Sequence, residues 1–250
     1  MEKTINFDLV ADLYDSYVQA DFDIPFYKEF CKGYSSILEL MCGTGRISLP
    51  LLMDGYDLTC VDYSLGMLDV FRSKLPKDRH HNILHQDISA LDIDAQFELV
   101  MIPFNSITEI TDKSKRQRAI QRIYEHLAPG GTFFCTLYNP EYRKKTADGS
   151  MRIIGKFDMA GSKTLMVTYY NTYDASSEIV SGAQFYEVYG EDNKLIEKRF
   201  LDIRFALTSQ AEIVTACDAA GFVLEKVYGD YAFSPFSTDS MFMNCVFRKK

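Results

Sequence analysis

The sequence predicts an α/β fold: a doubly wound, mostly parallel seven-stranded sheet with an antiparallel edge strand and an inserted antiparallel β subdomain. Three observations carry this expectation. Strands and helices alternate from about residue 37 to residue 140, the signature of a parallel sheet covered on both faces. From about Met151 to Leu207 strand follows strand with no helix between. The chain then closes on two strands, "VLEKVYG" and "MFMNCVFRK", without a crossover helix, so these two cannot be parallel neighbours and one of them runs antiparallel.

Taken in order, Phe7, Val10, Ala11, Tyr14 and Val18 recur at helical spacing, and a second short helix follows Pro25 with Phe26, Tyr27 and Phe30. "SSILELM" is a buried strand. "RISLPLLMD" is a helix that tolerates Pro50 because the residue falls within its first turns, where the missing N–H is least needed. "YDLTCVD" is the second strand, "SLGMLDVFRSKL" the second helix of the alternation, and "NILHQDI" the third strand. "FELVMIPFN" is almost wholly apolar, as a central parallel strand should be. Residues 112–127 put Ile120, Ile123, Tyr124 and Leu127 on one helical face. "PGG" stops that helix before the fifth strand, "GTFFCTLYN".

Within the insert, "KTLMVTYYNTY", "AQFYEVYG" and "EKRFLDIRFAL" read as strands, with "GEDNK" as a hairpin turn. Ser209 and Glu212 then fit a capping box and Gly221 a C-terminal cap. The expected division is residues 1–140 with 207–250 as one domain and 141–206 as the insert.

Composition narrows the function classes. The chain has 250 residues, enough for one sizeable core with an inserted subdomain, and a formal net charge of −8, which disfavours a phosphate backbone as partner. "KSKRQR" (113–118) and "RKK" (143–145) are short and read as a solvated helix face and a charged loop. "MEKTINFDLV" lacks the apolar core of a secretory signal, and no apolar run approaches the ~20 residues that span a bilayer. A soluble, cytoplasmic protein is expected. The six cysteines form no C-x-x-C pair and read as buried, reduced thiols. The four histidines lack metal-ligand spacing; His80 and His81 sit in a polar connection and read as solvated, so no metal is expected.

"ILELMCGTGRISLPLL" (37–52) passes from strand to glycine-rich turn to helix, the usual seat of a nucleotide-like ligand. A dinucleotide fingerprint wants a third glycine where Ser48 stands. Asp62, at the end of the second strand, is placed to accept from both ribose hydroxyls of an adenosine. That fits either NAD or S-adenosylmethionine. Three features favour the latter. Glu39, on the strand before the turn, would repel a pyrophosphate but can help hold a methionine ammonium, directly or through water. Asp87 can accept from an adenine amino group, with the N–H of Ile88 donating to the ring. The two-strand tail does not match a second mononucleotide-binding half.

"LELMCGTGR" together with "VDYSLGML", "QDI", "IPFNSI" and "LAPGGTFFCTLYNP" resembles the class I S-adenosylmethionine-dependent methyltransferases of the bacterial small-molecule type. The match runs in order over residues 37–140. The tail and "LYDSY" (13–17) are similar to the ends of the same family. The resemblance implies a Rossmann-like sheet and these roles: Gly43 and Gly45 let the backbone approach the methionine part; Glu39, Tyr14 and Arg46 contact its amino or carboxylate end; Asp62 binds the ribose. Tyr63 stacks on the adenine edge with Met67 nearby, Asp87 and Ile88 read the adenine, and Phe104, Asn105 and Ser106 lie close to the sulfonium. S-adenosylhomocysteine is then the product.

Methyl transfer from a sulfonium expels a neutral leaving group, so alignment and exclusion of water do most of the catalysis. A base is needed only for a nucleophile that holds its proton. The expected acceptor is a small molecule, an amine, thiol or hydroxyl. Tyr14 and Tyr138 are the candidate catalytic side chains, and Tyr17 and Asn139 are further polar groups near the pocket mouth. The insert carries Phe157, Tyr169, Tyr170, Tyr173, Phe185, Tyr186 and Tyr189, which suit either an acceptor-choosing lid or packing against the main domain or a second subunit. A monomer or homodimer is compatible with this. The alternatives are a nucleic-acid (tRNA) methyltransferase, which would carry an Asn-Pro-Pro-aromatic element where "IPFNS" stands, an NAD-dependent oxidoreductase, and a non-catalytic cofactor-binding module.

Overall fold

A computed structural model describes residues 5–250, and at position 81 the backbone alone. The first four residues of the N-terminal stretch and the His81 side chain lie outside the described residues. The Nε2 of His80 lies 3.1 Å from the Leu75 carbonyl.

Helices α1 (Ala11–Tyr17) and α2 (Ile24–Phe30) precede the alternating region, in which β1 (Ile37–Leu40), α3 (Ser48–Met53), β2 (Leu58–Asp62), α4 (Leu65–Ser73), β3 (Ile83–His85), β4 (Phe97–Ile102), α5 (Lys113–His126) and β5 (Leu127–Tyr138) follow in turn. A short α6 (Pro140–Lys144) leads into β6 (Arg152–Met159), β7 (Lys163–Asp174), β8 (Ile179–Tyr189) and β9 (Leu195–Ala206). The chain ends with α7 (Gln210–Ala220), β10 (Phe222–Tyr228) and β11 (Phe242–Lys249).

The large sheet has seven strands in the order β10-β11-β5-β4-β1-β2-β3. β11 is antiparallel to both β5 and β10, so the antiparallel strand lies one position in from the edge. Alternating side chains on each strand feed two cores. Leu38, Val100 and Phe133 join Ile120 and Ile123 of α5 and Ile213 of α7 on one face. Ile37, Leu99 and Phe134 join Phe26 of α2, Leu51 of α3 and Phe71 of α4 on the other. This period-two switching between two covered faces explains why the strands read as continuous apolar runs. All six cysteines are buried and free, as their apolar surroundings suggest.

β5 begins earlier than the "PGG" stop implies. It runs through Pro129–Gly131, with a register shift opposite Phe97 and Leu99, and Gly130 takes a left-handed backbone there. The capping box of Ser209 and Glu212 forms as expected, and Gly221 caps α7 at φ 103°.

The insert is a four-stranded antiparallel meander, β6-β7-β8-β9. "GEDNK" is its hairpin turn, closed by Gly190 N–H donating to the Lys194 carbonyl at 2.9 Å. The first of these strands, β6, is the one not expected from the sequence: it has no clean alternation, because a bulge between Ile153 and Gly155 breaks its register. Leu165, Val167, Tyr186, Val188, Leu201 and Ile203 face Val10 and Leu13. The small sheet is therefore seated on α1, and Arg199 locks it there through a two-pronged ion pair with Asp12 at 2.5 and 3.0 Å. Among the described residues no helix is long and apolar enough to cross a membrane.

Candidate functional site

The strand order of the large sheet reverses between β1 and β4, where crevices open at the carboxyl ends of parallel strands. A cavity of about 530 Å³ lies there. Its floor is Met41, Gly43, Asp62, Tyr63, Met67, Asp87, Ile88, Phe104, Asn105, Ser106 and Glu109. Tyr14 and Tyr17 of α1 form one wall, with Tyr138 and Arg143 opposite, and Tyr169, Asn171, Gln184, Ile203 and Phe205 of the small sheet form the roof.

The turn after β1 is tightly wound: Met41, Gly43 and Gly45 all have left-handed backbones, at φ 58°, 57° and 82°. The two glycines differ in what they make room for. A side chain on Gly43 would meet nothing within 4 Å, so its open side is the cavity. A side chain on Gly45 would overlap the buried ring of Phe71, so that glycine serves packing. The turn is clasped from outside. Thr44 donates its hydroxyl to Asp15 of α1 at 2.6 Å, and Lys74 donates to the Thr44 carbonyl at 2.9 Å while pairing with Asp15.

Asp62 secures the turn from the next strand. One carboxylate oxygen accepts from Gly43 N–H and the other from Ser64 N–H, both at 2.8 Å. Burial raises its pKa, against the pull of those backbone donors. A carboxylate offers about four lone-pair directions, so two remain for a ligand.

Glu39 and Arg46 do not line the cavity. Glu39 is 2% exposed and accepts from the Ser48 hydroxyl at 2.6 Å, and burial pushes its pKa up to about 8. The serine in the third-glycine position thus serves this buried acid. Arg46 makes a two-pronged pair with the buried Asp23, at 2.6 and 2.8 Å, donates to the Ala20 carbonyl, and lies over the Phe104 ring at 4.6 Å.

Asp87 caps the turn at Ile88 by accepting from the Ser89 N–H and hydroxyl, and pairs with Lys115 at 2.9 Å. Burial would raise its pKa, but Lys115 and Ser89 outweigh it and hold the group below the usual range. Phe104 and Asn105 are both left-handed, and the buried Oδ1 of Asn105 has no hydrogen-bond partner. Strained backbone and an orphaned acceptor at a strand end mark a place shaped for something other than packing.

Tyr14, Tyr17 and Tyr138 all have raised pKa values, chiefly through burial, and Tyr17 shares a hydrogen bond with Tyr186 at 3.1 Å. These phenols stay protonated at neutral pH and are poor bases.

Glu109 and Met41 line the cavity although no motif in the sequence gives either a role, and Lys115 and Arg143 line it from runs that read as a solvated helix face and a charged loop. A signal for Glu109 exists: it is a lone carboxylate in the otherwise uncharged "SITEIT", just after the central strand. Burial, with Asp62 second, pushes its pKa up to about 8.

Residues 37–131 match the family model of a methyltransferase domain. Cypemycin N-terminal methyltransferase of Streptomyces sp. is 26% identical over 222 residues, covering 86% of this chain and 83% of the relative. The structure of the CcbJ methyltransferase from Streptomyces caelestis superposes with a TM-score of 0.80 at 21% identity, covering 100% of this chain and 99% of that one. That of S-adenosylmethionine-bound CalS10, an amino pentose methyltransferase from Micromonospora echinaspora, gives 0.73 at 16% identity, covering 100% of both. The structural likenesses fix the fold, small second sheet included. The domain match falls on the span from β1 into β5 that holds the glycine turn, Asp62 and Asp87, so the methyl donor is S-adenosylmethionine. Residues 37–131 are therefore a methyltransferase domain, and the enzyme is an S-adenosylmethionine-dependent methyltransferase.

Proposed function

We propose that the protein methylates a small-molecule acceptor held between the two sheets. The observation that carries this reading is the cavity itself: one continuous space touches both the glycine turn and the aromatic roof of the insert. A space of about 530 Å³ is of the size that encloses small molecules, and a polymer would need an open track. The relatives described above as an N-terminal methyltransferase and an amino pentose methyltransferase act, by their names, on amine-bearing molecules, which puts amines first among the acceptors.

The residues suit the donor. Gly43 leaves room for the methionine part, and the two remaining acceptor directions of Asp62 match two ribose hydroxyls. Asp87 and Ile88 sit where an adenine edge would lie, with Met67 beneath and Tyr63 on the rim. Phe104, Asn105 and Ser106, with Tyr14 across from them, surround the place of the sulfonium. Arg46 and Glu39 support the turn from behind instead of touching the ligand. Residues 141–206 act as the acceptor-binding lid.

When bound, the donor supplies an activated methyl group whose loss leaves a neutral thioether. The protein's contribution is geometric. The turn fixes one end of the donor, Asp62 and Asp87 fix the other, and the roof excludes water and orients the acceptor.

Calorimetry tests the site. S-adenosylhomocysteine should bind and NAD should not. Asp62→Ala should weaken S-adenosylhomocysteine by about 100-fold, the loss of two hydrogen bonds to a charged group. Binding that survives Asp62→Ala unchanged would remove the assignment. Homocysteine release with matched amines, thiols and phenols then ranks the acceptors.

A further inference from the structure

Among the described residues, five charged side chains line the cavity: Asp62, Asp87, Glu109, Lys115 and Arg143. Asp87 and Lys115 neutralise each other, and Asp62 is held by two backbone N–H groups. Arg143 is stacked between two rings and hydrogen-bonded. Glu109 differs, since its carboxyl has no hydrogen bond or ion pair among the described residues. It ends the short turn Ser106–Glu109, which packs between β5 of the core and β9 of the roof. Among the described residues, the titratable groups whose charge reaches it are Tyr14 and Tyr17 on α1 and Asp62 at the end of β2, none of them a cation.

A half-buried carboxylate left among phenols and a second carboxylate is costly unless a cation arrives or a proton is bound. Resting on the reading above, we propose that Glu109 is the acceptor's catalytic carboxylate: it draws in a primary or secondary amine as the ammonium ion and removes its proton. The Glu109 oxygen takes the proton from the acceptor nitrogen. The freed lone pair forms the N–CH₃ bond as the C–S bond breaks and its electrons return to sulfur. The product leaves as a methylammonium ion and the neutral thioether, and the Glu109 proton passes to solvent.

Chemistry selects the amine. An alkyl ammonium loses its proton at a pKa of about 10, within reach of a carboxylate whose own value burial has raised. An alcohol is several units too weak an acid. A thiol or phenol must react as an anion, which Glu109 and Asp62 repel. Tyr14, in edge contact with Phe7 on one side and Tyr17 on the other, adds with them ring faces that suit a cation.

The test uses the full-length protein, wild type and Glu109→Gln, with benzylamine, N-methylbenzylamine, benzyl alcohol and benzyl mercaptan as one matched panel and short alkylamines with their alcohols as a second. S-adenosylhomocysteine affinity should stay within about twofold in the variant. In wild type the amines should outcompete their alcohols, both in homocysteine release and in binding to the S-adenosylhomocysteine-saturated protein. Glu109→Gln should lose at least 100-fold in kcat/KM for amines and lose the acid limb of the pH–rate profile; Glu109→Asp should restore part of both.

The proposal is overturned if wild type shows no preference for amines over alcohols or thiols, or if Glu109→Gln keeps its amine activity. It is also overturned if the variant instead abolishes the preference for charged S-adenosylmethionine over neutral S-adenosylhomocysteine, which would place Glu109 on the donor. A wild type that binds no S-adenosylhomocysteine would overturn the site reading first, a separate result.

Discussion

Gly43 and Gly45 stand two residues apart and do different work. Both require a left-handed backbone, which costs an L side chain about 1–2 kcal/mol. Only at Gly45 is there also an overlap, with the ring of Phe71, itself fully buried. Gly45→Ala should therefore lose about 2–5 kcal/mol of stability, read from urea unfolding, through strain plus overpacking. Gly43→Ala should lose only the backbone part, about 1–2 kcal/mol, but should weaken S-adenosylhomocysteine measurably because its new methyl group enters the cavity. Equal losses of stability in both variants would show that the turn is not divided between packing and binding in this way.

At the scale of elements, β1 and α3 are joined through a buried acid. Glu39 on the strand accepts from Ser48 at the helix start, and its folded pKa is raised from 4.5 to about 8 by burial. The folded state therefore binds a proton that the unfolded chain releases, and stability is fully present below about pH 4.5 and falls as pH rises toward 8. The effect is on the order of a few kcal/mol. Glu109, raised in the same direction, adds to the same slope. Glu39→Gln should flatten the decline of melting temperature between pH 5 and 8 without removing it, and the variant should outlast wild type at pH 8.5. An unchanged slope would mean that Glu39 is ionised in the folded protein. This joint also shows what was legible in the sequence. The strand, the turn and Asp62 could be placed because each obeys a local pattern. That Glu39 would face Ser48, and Arg46 would face Asp23, could not, because both partnerships depend on how α2 and α3 pack under the turn. Glu109 escaped for a related reason: its isolation is a property of the assembled cavity, not of the residues beside it in the chain. β6 escaped because a bulge erased its alternation.

The molecule as a whole consists of a donor-binding sheet and a small sheet seated over it, and Arg143 couples the two. Its guanidinium lies over Tyr138, at the end of β5, and over Phe205, on β9, at 5.5 and 5.0 Å. With the Asn171 amide turned so that its oxygen faces the guanidinium, Nη2 of Arg143 donates to it at 2.6 Å and Asn171 donates to the Tyr170 carbonyl at 2.9 Å. One side chain thus touches the core strand and two strands of the roof. Arg143→Met keeps the length and loses the charge, the hydrogen bonds and the cation–ring contacts, each of the latter worth about 0.5–2 kcal/mol. Stability should fall by roughly 1–3 kcal/mol, a drop in melting temperature of several degrees for a chain of this length. The donor site lies on the other sheet, so S-adenosylhomocysteine affinity should stay within about twofold. Acceptor KM should rise by about tenfold, and hydrogen exchange should quicken in β7 and β9 while β1, β2 and β4 keep their protection. If the donor site loosens equally with the roof, the two sheets form one cooperative unit. If only the roof loosens, the small sheet is a lid whose closure over the acceptor is set by this arginine.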